Sequence, residues 1–481
     1  MKYLSFYSIL DWIDTNIVWG IPLLCLILIV GIVLSVSLKG MQLKHIGKGL
    51  KAMVANEGDD GNKKGEVSTF GALCISMAAT LGTGKIVGVS LAIAIGGPGA
   101  LFWMIIAALL GMATKYAEGF LAIKYRDVKE DGTVLGGPFM YIEKGMGKKW
   151  SWLAKIFAVC AACAGALGIG TMTQMNSILD SVTSVFDPNK TNTFTLFGQQ
   201  YVTIAIVVGI VITIVSAIAV IGGIKRIEKV SMILVPIMAI GFFAVCLLVV
   251  LFNITSVPSA LLLIVKNAFS FKAVAGGTGG AIIAVAMREG ISKGIFSNEA
   301  GLGSAPIALA SSKSQDAVRQ GLVCMASTFI DTMVLCLTIG LGVVITGAYQ
   351  NSTGVEITIS AFEKGLHIPH QVSAVIVMLS ITTFAFTTII GWNVYGEKCF
   401  AYLFKGSNKA VMAYKFFYIA AVAIAPFLTL SVIWKIASIF NGLMALPNLI
   451  AILYLSKQVS KETNEYFDNL KSLKKYKEIA K

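Results

Sequence analysis

The stretch from Ser68 to Arg126 restricts this chain more than any other. It reads STFGALCISMAATLGTGKIVGVSLAIAIGGPGALFWMIIAALLGMATKYAEGFLAIKYR. Phe70 to Ile95 is apolar and long enough to cross a bilayer, which takes about 20 such residues at about 1.5 Å each. Yet Gly82, Thr83, Gly84 and Lys85 stand in its middle. Each glycine gives up roughly 1 kcal/mol of helix propensity, and two around a β-branched Thr predict local unwinding. Backbone freed at membrane depth persists only where protein or a wet cavity satisfies its polar groups. The stretch therefore predicts a discontinuous helix with a binding site at its broken centre. The plainer reading is a small-residue face for helix packing. Lys85 argues against it, because a mid-span cation costs several kcal/mol and a packing face needs none.

The whole chain is 56% hydrophobic and only 13% charged, a balance no soluble domain of 481 residues has. It is expected to be an all-α polytopic membrane protein whose surroundings are the lipid bilayer. The net charge of +14 does not point to nucleic acid, since the basic residues fall in short loops and at the C-terminus, as in cytoplasmic membrane flanks. No cofactor is implied. Cys160 and Cys163 form a CxxC inside an apolar helix with no second pair. His45, His367 and His370 make no ligand spacing, and no nucleophile stands with a base, so nothing argues for an enzyme.

Apolar runs place spans near 17–38, 70–96, up to 123, 152–180, 201–221, 230–252, 265–290, 318–346, 371–402, 411–430 and 433–456. These are about 11 transmembrane helices. With the N-terminus outside and the C-terminus cytoplasmic, every strongly basic loop falls on one side: 39–69, 122–150, 225–229, the lysines and arginine at 293, 313 and 319, those at 398–409, and the tail. Loops 181–200, 253–264 and 347–370 are nearly free of Lys and Arg, so eleven spans satisfy the positive-inside rule and ten or twelve would break it.

A second interrupted segment is expected at 265–290, centred on Gly276, Gly277, Thr278, Gly279 and Gly280. Each interrupted helix opens a block of five spans, and an odd block length makes the second enter the membrane from the opposite side. This is similar to the 5+5 inverted repeat of LeuT-like secondary transporters, with one additional N-terminal span. Three parts follow: 1–65 as an N-terminal interfacial segment, first span and basic loop; 66–456 as the transporter core, with repeats at about 66–252 and 265–456; and 457–481 as a charged cytoplasmic tail. A channel would need a selectivity filter, which the glycine breaks resemble only loosely.

The motifs AATLGTGK, GGPGALFWM with GMATKYAE, GIFSNEAGLGSAPIA, RQGLVCMASTFIDT and FAFTTIIGWNVYGEKC resemble the alanine or glycine:cation symporter family, also called sodium:alanine symporters. The resemblance covers nearly the whole chain after residue 65. It implies a LeuT-like fold, uptake of small neutral amino acids such as alanine or glycine, coupling to Na+, and residence in the cell (inner) membrane. Four positions depart from the family pattern: Lys85 where Asn is usual, Thr171 in a GNM motif, Thr278 in a GGF motif, and Gly71 where Gln is usual.

A zwitterionic amino acid needs donors for its carboxylate and acceptors for its ammonium, and the half-helix ends at a break offer both. That role falls to Thr80, Gly82, Thr83 and Gly84 with Gly276, Gly277, Thr278 and Gly279. Gln174 matches a substrate-contacting Gln of the family, or else pins neighbouring helices. Thr382 and Thr383 are the expected Na+ ligands, unless their hydroxyls bond back to their own helix. Trp392 either caps the pocket or belongs to an interfacial belt. Lys85 either takes a cation position itself, making transport sodium-independent or proton-coupled, or pairs with a carboxylate such as Asp331 or Glu118. Asn298 and Glu299 read as a gate or re-entrant segment, and Glu118 as one half of a structural ion pair.

Overall fold

The computed structural model describes residues 2–55, 64–130, 132–196, 199–269, 279–428 and 430–479. Nine helices among them are long and apolar enough to cross a membrane, or ten with one bent pair taken as a single span. The helix Gly279–Asn298 is not among the ten, because it carries Arg288, Glu289 and Lys293. With it, the eleven expected elements are accounted for.

The first span, α1 (Ile21–Ser37), is part of the core rather than an appendage. It buries Leu23, Leu24, Ile27, Val30 and Leu34 against later helices. The helical turns before it dock on the last helix, where Lys435 Nζ lies 2.7 Å from Asp11 and 3.0 Å from Asp14. The first block then runs α2 (Thr69–Thr80), α3 (Gly84–Gly96), α4 (Gly99–Lys124), α5 (Ser151–Leu167), α6 (Met172–Phe186), α7 (Thr203–Ile221) and α8 (Gly223–Phe252). The second runs α9 (Gly279–Asn298), α10 (Ala305–Leu309), α11 (Ala317–Thr346), α12 (Glu356–Leu366), α13 (His370–Leu403), α14 (Asn408–Phe427) and α15 (Leu430–Ile479). Helix α7 shows why its sequence is apolar all round. Val207, Ile210, Val211, Ile214 and Ile218 form an exposed apolar stripe, which is stable in hydrocarbon and not in water.

The two sides of the bundle differ. On the lysine-rich side the chain is strapped shut. Val67 bridges Ser312, and Lys398 Nζ holds both Glu66 carboxylate oxygens at 2.7 Å together with the Val134 carbonyl at 2.8 Å. Arg126, just past α4, donates to the carbonyls of Ala310 and Ser314, each at 2.7 Å, and to that of Ser312. Burial pushes its guanidinium down to about 10, which leaves it charged at neutral pH. A short antiparallel hairpin, β1 (Asp127–Val128) with β2 (Val134–Leu135), lies beside this strap. The opposite side holds a cavity of about 630 Å³ that reaches from Asp14, Arg288 and Lys435 down to Thr83, Gly84 and Phe296. Lys293, expected on the lysine-rich side, lines this cavity instead. Helix α9 runs on to Asn298, so residue 293 still lies in the opposite half.

Candidate functional site

The first interruption is where the glycines placed it. Helices α2 and α3 meet at an angle of 50° across Leu81, Gly82 and Thr83. The Gly82 N–H turns back to the Thr80 carbonyl at 2.9 Å, and the Lys85 N–H to that of Gly82 at 3.2 Å, so only part of the freed backbone is satisfied locally. Gln174 of α6 accepts from the Thr83 hydroxyl at 3.2 Å and from its N–H at 3.5 Å. A Cβ at position 82 would lie 3.1 Å from the Thr388 hydroxyl and 3.5 Å from Gln174 Nε2. Glycine leaves these two side chains room against the bent backbone.

Lys85 fills the middle of the break. Its Nζ donates to the Thr80 carbonyl at 2.6 Å and the Ser297 carbonyl at 2.8 Å, and lies 2.5 Å from Asp331 Oδ1. Lys85 is 1% exposed and Asp331 3%. Of the two readings of Lys85, the geometry shows the pairing with Asp331, within a seat of three oxygens that come from α2, α9 and α11.

Of the second expected interruption, Gly276, Gly277 and Thr278 lie outside the described residues, and Gly279 is the first residue of α9. That helix stops at Asn298 and resumes at Ala305. Between them Glu299, Gly301 and Gly303 have φ of 54°, 87° and 80°. Asn298 and Glu299 therefore stand at a second break among the described residues, between α9 and α10. Glu118 of α4 satisfies its freed N–H groups: Oε1 accepts from Gly301 and Gly303, each at 3.1 Å, and from the Asn448 amide at 2.7 Å. Asn448 also takes the Gly301 carbonyl at 2.9 Å and receives the Tyr141 hydroxyl. Asn298 caps the Ala300 N–H at 2.9 Å and reaches Thr332 at 3.2 Å, and Ser304 donates to Glu299. Lys115 Nζ, 3.9 Å from Glu118 Oε2, is the nearest cation. Glu118 is in an ion pair as expected, but its chief partner is backbone.

The threonines of α13 divide differently from the expectation. Thr388 faces the first break, donating to the Ala78 carbonyl at 3.1 Å while also reaching Phe384 at 2.9 Å. Thr383 bonds back to Leu379 and Ser380 of its own helix, and Thr382 Oγ1 is buried without a partner. Positions 382 and 383 are six and five residues from 388, so on a helix they point about 120° and 140° away from its direction. Thr388, rather than Thr382 or Thr383, is thus the hydroxyl of these three that meets the first break. Trp392 is fully buried, which removes the belt reading. Its Cβ faces Gly170 and its ring meets that of Tyr395 at 5.3 Å, beside the bend where α5 passes into α6. Thr171 lies at that bend and donates to the Ala166 carbonyl at 2.8 Å.

Phe296 and Trp19 were not legible as site residues from the sequence. Phe296 stands 3.5 Å from the position a Gly84 Cβ would take and 6.4 Å from the Trp19 ring, and both line the cavity. Nothing marks these aromatics among the chain's 33 Phe and Trp residues, 26 and 7 of each.

Comparison with known proteins agrees with this geometry. Residues 4–480 match the model of the sodium:alanine symporter family. A protein of Haemophilus influenzae named as an uncharacterized transporter is 43% identical, with 96% of this chain and 97% of that protein covered. The sodium/alanine symporter AgcS of Methanococcus maripaludis is 38% identical, with 96% and 98% covered. The probable sodium/glutamine symporter GlnT of Bacillus subtilis is 35% identical, with 98% and 93% covered. Among solved structures, that of MhsT in complex with L-phenylalanine matches 84% of this chain and 99% of that one, with a TM-score of 0.55 at 13% identity. The fold is therefore the LeuT-like one.

Proposed function

The chain belongs to the sodium:alanine symporter family, and from that premise we propose that it is a secondary active transporter importing small neutral amino acids, alanine or glycine, coupled to Na+ by alternating access. Its lysine-rich side faces the cytoplasm and its N-terminus lies outside, as the charge bias of the loops favours. Residues 66–456 act as the transporting core. The open cavity above Thr83 and the strapped opposite side then correspond to an outward-facing state.

One observation carries the reading: a broken helix whose freed backbone, Gln174 and Thr388 converge on a glycine. Freed N–H groups at the start of α3 suit a carboxylate, and the crowding around Gly82 suits a small side chain. Na+ is a co-substrate here. It would exchange for the hydroxyl proton contact between Thr388 and the Ala78 carbonyl, both hard oxygens. Phe296 and Trp19 form the outer wall that excludes water once the substrate is bound.

Lys85 favours a second reading alongside the first. Its ammonium holds a cation position permanently, so fewer ions need accompany the substrate, and in the limit transport becomes sodium-independent or proton-coupled. Uptake of labelled alanine and glycine into proteoliposomes decides between them. Accumulation driven by an imposed sodium gradient supports the first reading. Accumulation under a proton gradient alone supports the second. No gradient-driven accumulation of either amino acid overturns both.

A further inference from the structure

Three lysine-rich loops, so far only markers of topology, meet in a cavity of about 550 Å³ at the lysine-rich end of the bundle. Asp127 and Lys129 come from the β1–β2 hairpin, Glu143, Lys144 and Lys148 from the turn before α5, and Tyr402, Lys405 and Gly406 from the end of α13. We propose that this cavity binds the headgroup of an anionic phospholipid.

Charge is the first argument. The walls carry four lysines and two carboxylates, and both carboxylates are engaged: Asp127 with Lys144, and Glu143 with the Tyr402 hydroxyl. Lys129, Lys148 and Lys405 are exposed and have no carboxylate partner among the described residues. Three ammonium groups converging on one concavity repel one another unless an anion lies between them, and each is drawn toward an anionic membrane surface. Two of these loops meet closely: Lys129 Nζ lies 2.6 Å from where a Cβ at Gly406 would stand, beside Lys405.

Depth and rim are the second argument. Helix α5 begins at Ser151 and α13 ends at Leu403, so the cavity lies where two spans leave the hydrocarbon, at headgroup level. Apolar aromatics flank it. Trp152 is 56% exposed and stacks with Trp150 at 6.2 Å, and Phe404 is 51% exposed. A soluble phosphate would use the lysines alone, whereas a lipid would also lay its acyl chains on Trp152 and Phe404, as interfacial aromatics favour. The observations therefore favour a lipid. It would tie the end of α13, the helix that carries Thr388 and Trp392, to the start of α5.

Native mass spectrometry of the full chain tests this, independently of which amino acid is carried. The protein is released from micelles containing phosphatidylglycerol or phosphatidylcholine in equal amounts, with inorganic phosphate as a third arm. Retention of phosphatidylglycerol over phosphatidylcholine is expected, weakened at least about tenfold in a Lys129→Gln/Lys148→Gln/Lys405→Gln variant and unchanged by Lys149→Gln. A melting temperature matching the parent shows that the variant is folded. Equal retention of the two lipids by the parent chain overturns the proposal. So does undiminished retention by the triple variant, or displacement of the lipid by millimolar phosphate.

Discussion

The two interrupted helices solve the same problem with opposite charges. At the first, α2 ends and its Thr80 carbonyl is taken up by a cation, Lys85, supplied by the next half-helix, α3. At the second, the half-helix α10 begins and its approach is satisfied by an anion, Glu118, supplied by another. Both follow the dipole of the helix end they meet. They differ in what would remain without the side chain. Removing Lys85 leaves three oxygens that a free ion can occupy. Removing Glu118 leaves N–H groups that no ion of the transport reaction can satisfy. The first break is therefore suited to binding and the second to holding the bundle together.

That contrast is broken most directly at Glu118. Glu118→Ala strands two backbone N–H groups, Asn448 and Lys115 in the interior, and a loss of about 3–5 kcal/mol is expected. The check is the yield and melting temperature of monodisperse protein. If the variant melts like the parent, the second break is not held by this carboxylate.

Lys85→Asn sharpens the other half. It leaves Asp331 without its partner, so the variant should be less stable without sodium and regain stability as sodium is added. At a hundred times the dissociation constant the gain is about 2.7 kcal/mol. Melting in a sodium series against choline separates this from a purely structural loss. In the double variant Lys85→Asn/Asp331→Asn the sodium-dependent gain should disappear, while 1–3 kcal/mol of the single variant's loss is recovered.

Gly82→Ala is expected to fold but to bind substrate about tenfold more weakly, since one methyl group against Thr388 and Gln174 costs 1–3 kcal/mol. Binding of labelled alanine to the purified protein reads it. The smallest effect separates the threonines. Thr388→Val should raise the sodium concentration needed for half-maximal uptake several-fold, and Thr383→Val should leave it within a factor of two, because only the former removes an oxygen facing the break. Equal shifts in both would return the ion to the position first expected from the sequence.

How much of this was legible depended on where each cause lay. The first break was readable because everything that makes it, two glycines, a β-branched residue and a buried cation, lies within four consecutive positions. The break at 299–304 was not legible, because glycine density does not mark it. GGTGG is richer in glycine than NEAGLGS, yet what permits the break at 299–304 is Glu118, some 180 residues earlier on a different helix. No local pattern announces that. Which threonine meets the first break was not legible for a related reason. Sequence places four threonines on α13, but which one meets α2 depends on the rotation of the helix. That rotation is set by Gly391, where a Cβ would lie 2.8 Å from the Ala79 backbone nitrogen. Trp392 was misjudged between two depths because its surroundings, Gly165 and Gly170, come from another span.

A cation tethered to the chain has a thermodynamic consequence for the cell. An ion that is bound outside and released inside adds its own chemical and electrical driving force to the substrate it accompanies. For a tenfold gradient and 100 mV these are about 1.4 and 2.3 kcal/mol. An ammonium held by four methylenes completes the same charge balance but is never released, so it moves no charge across the membrane and adds nothing to the uphill work. A carrier built this way is limited to a steady-state accumulation more than about a hundredfold lower than one that moves an additional free ion. In exchange, it keeps that position filled however little salt surrounds the cell.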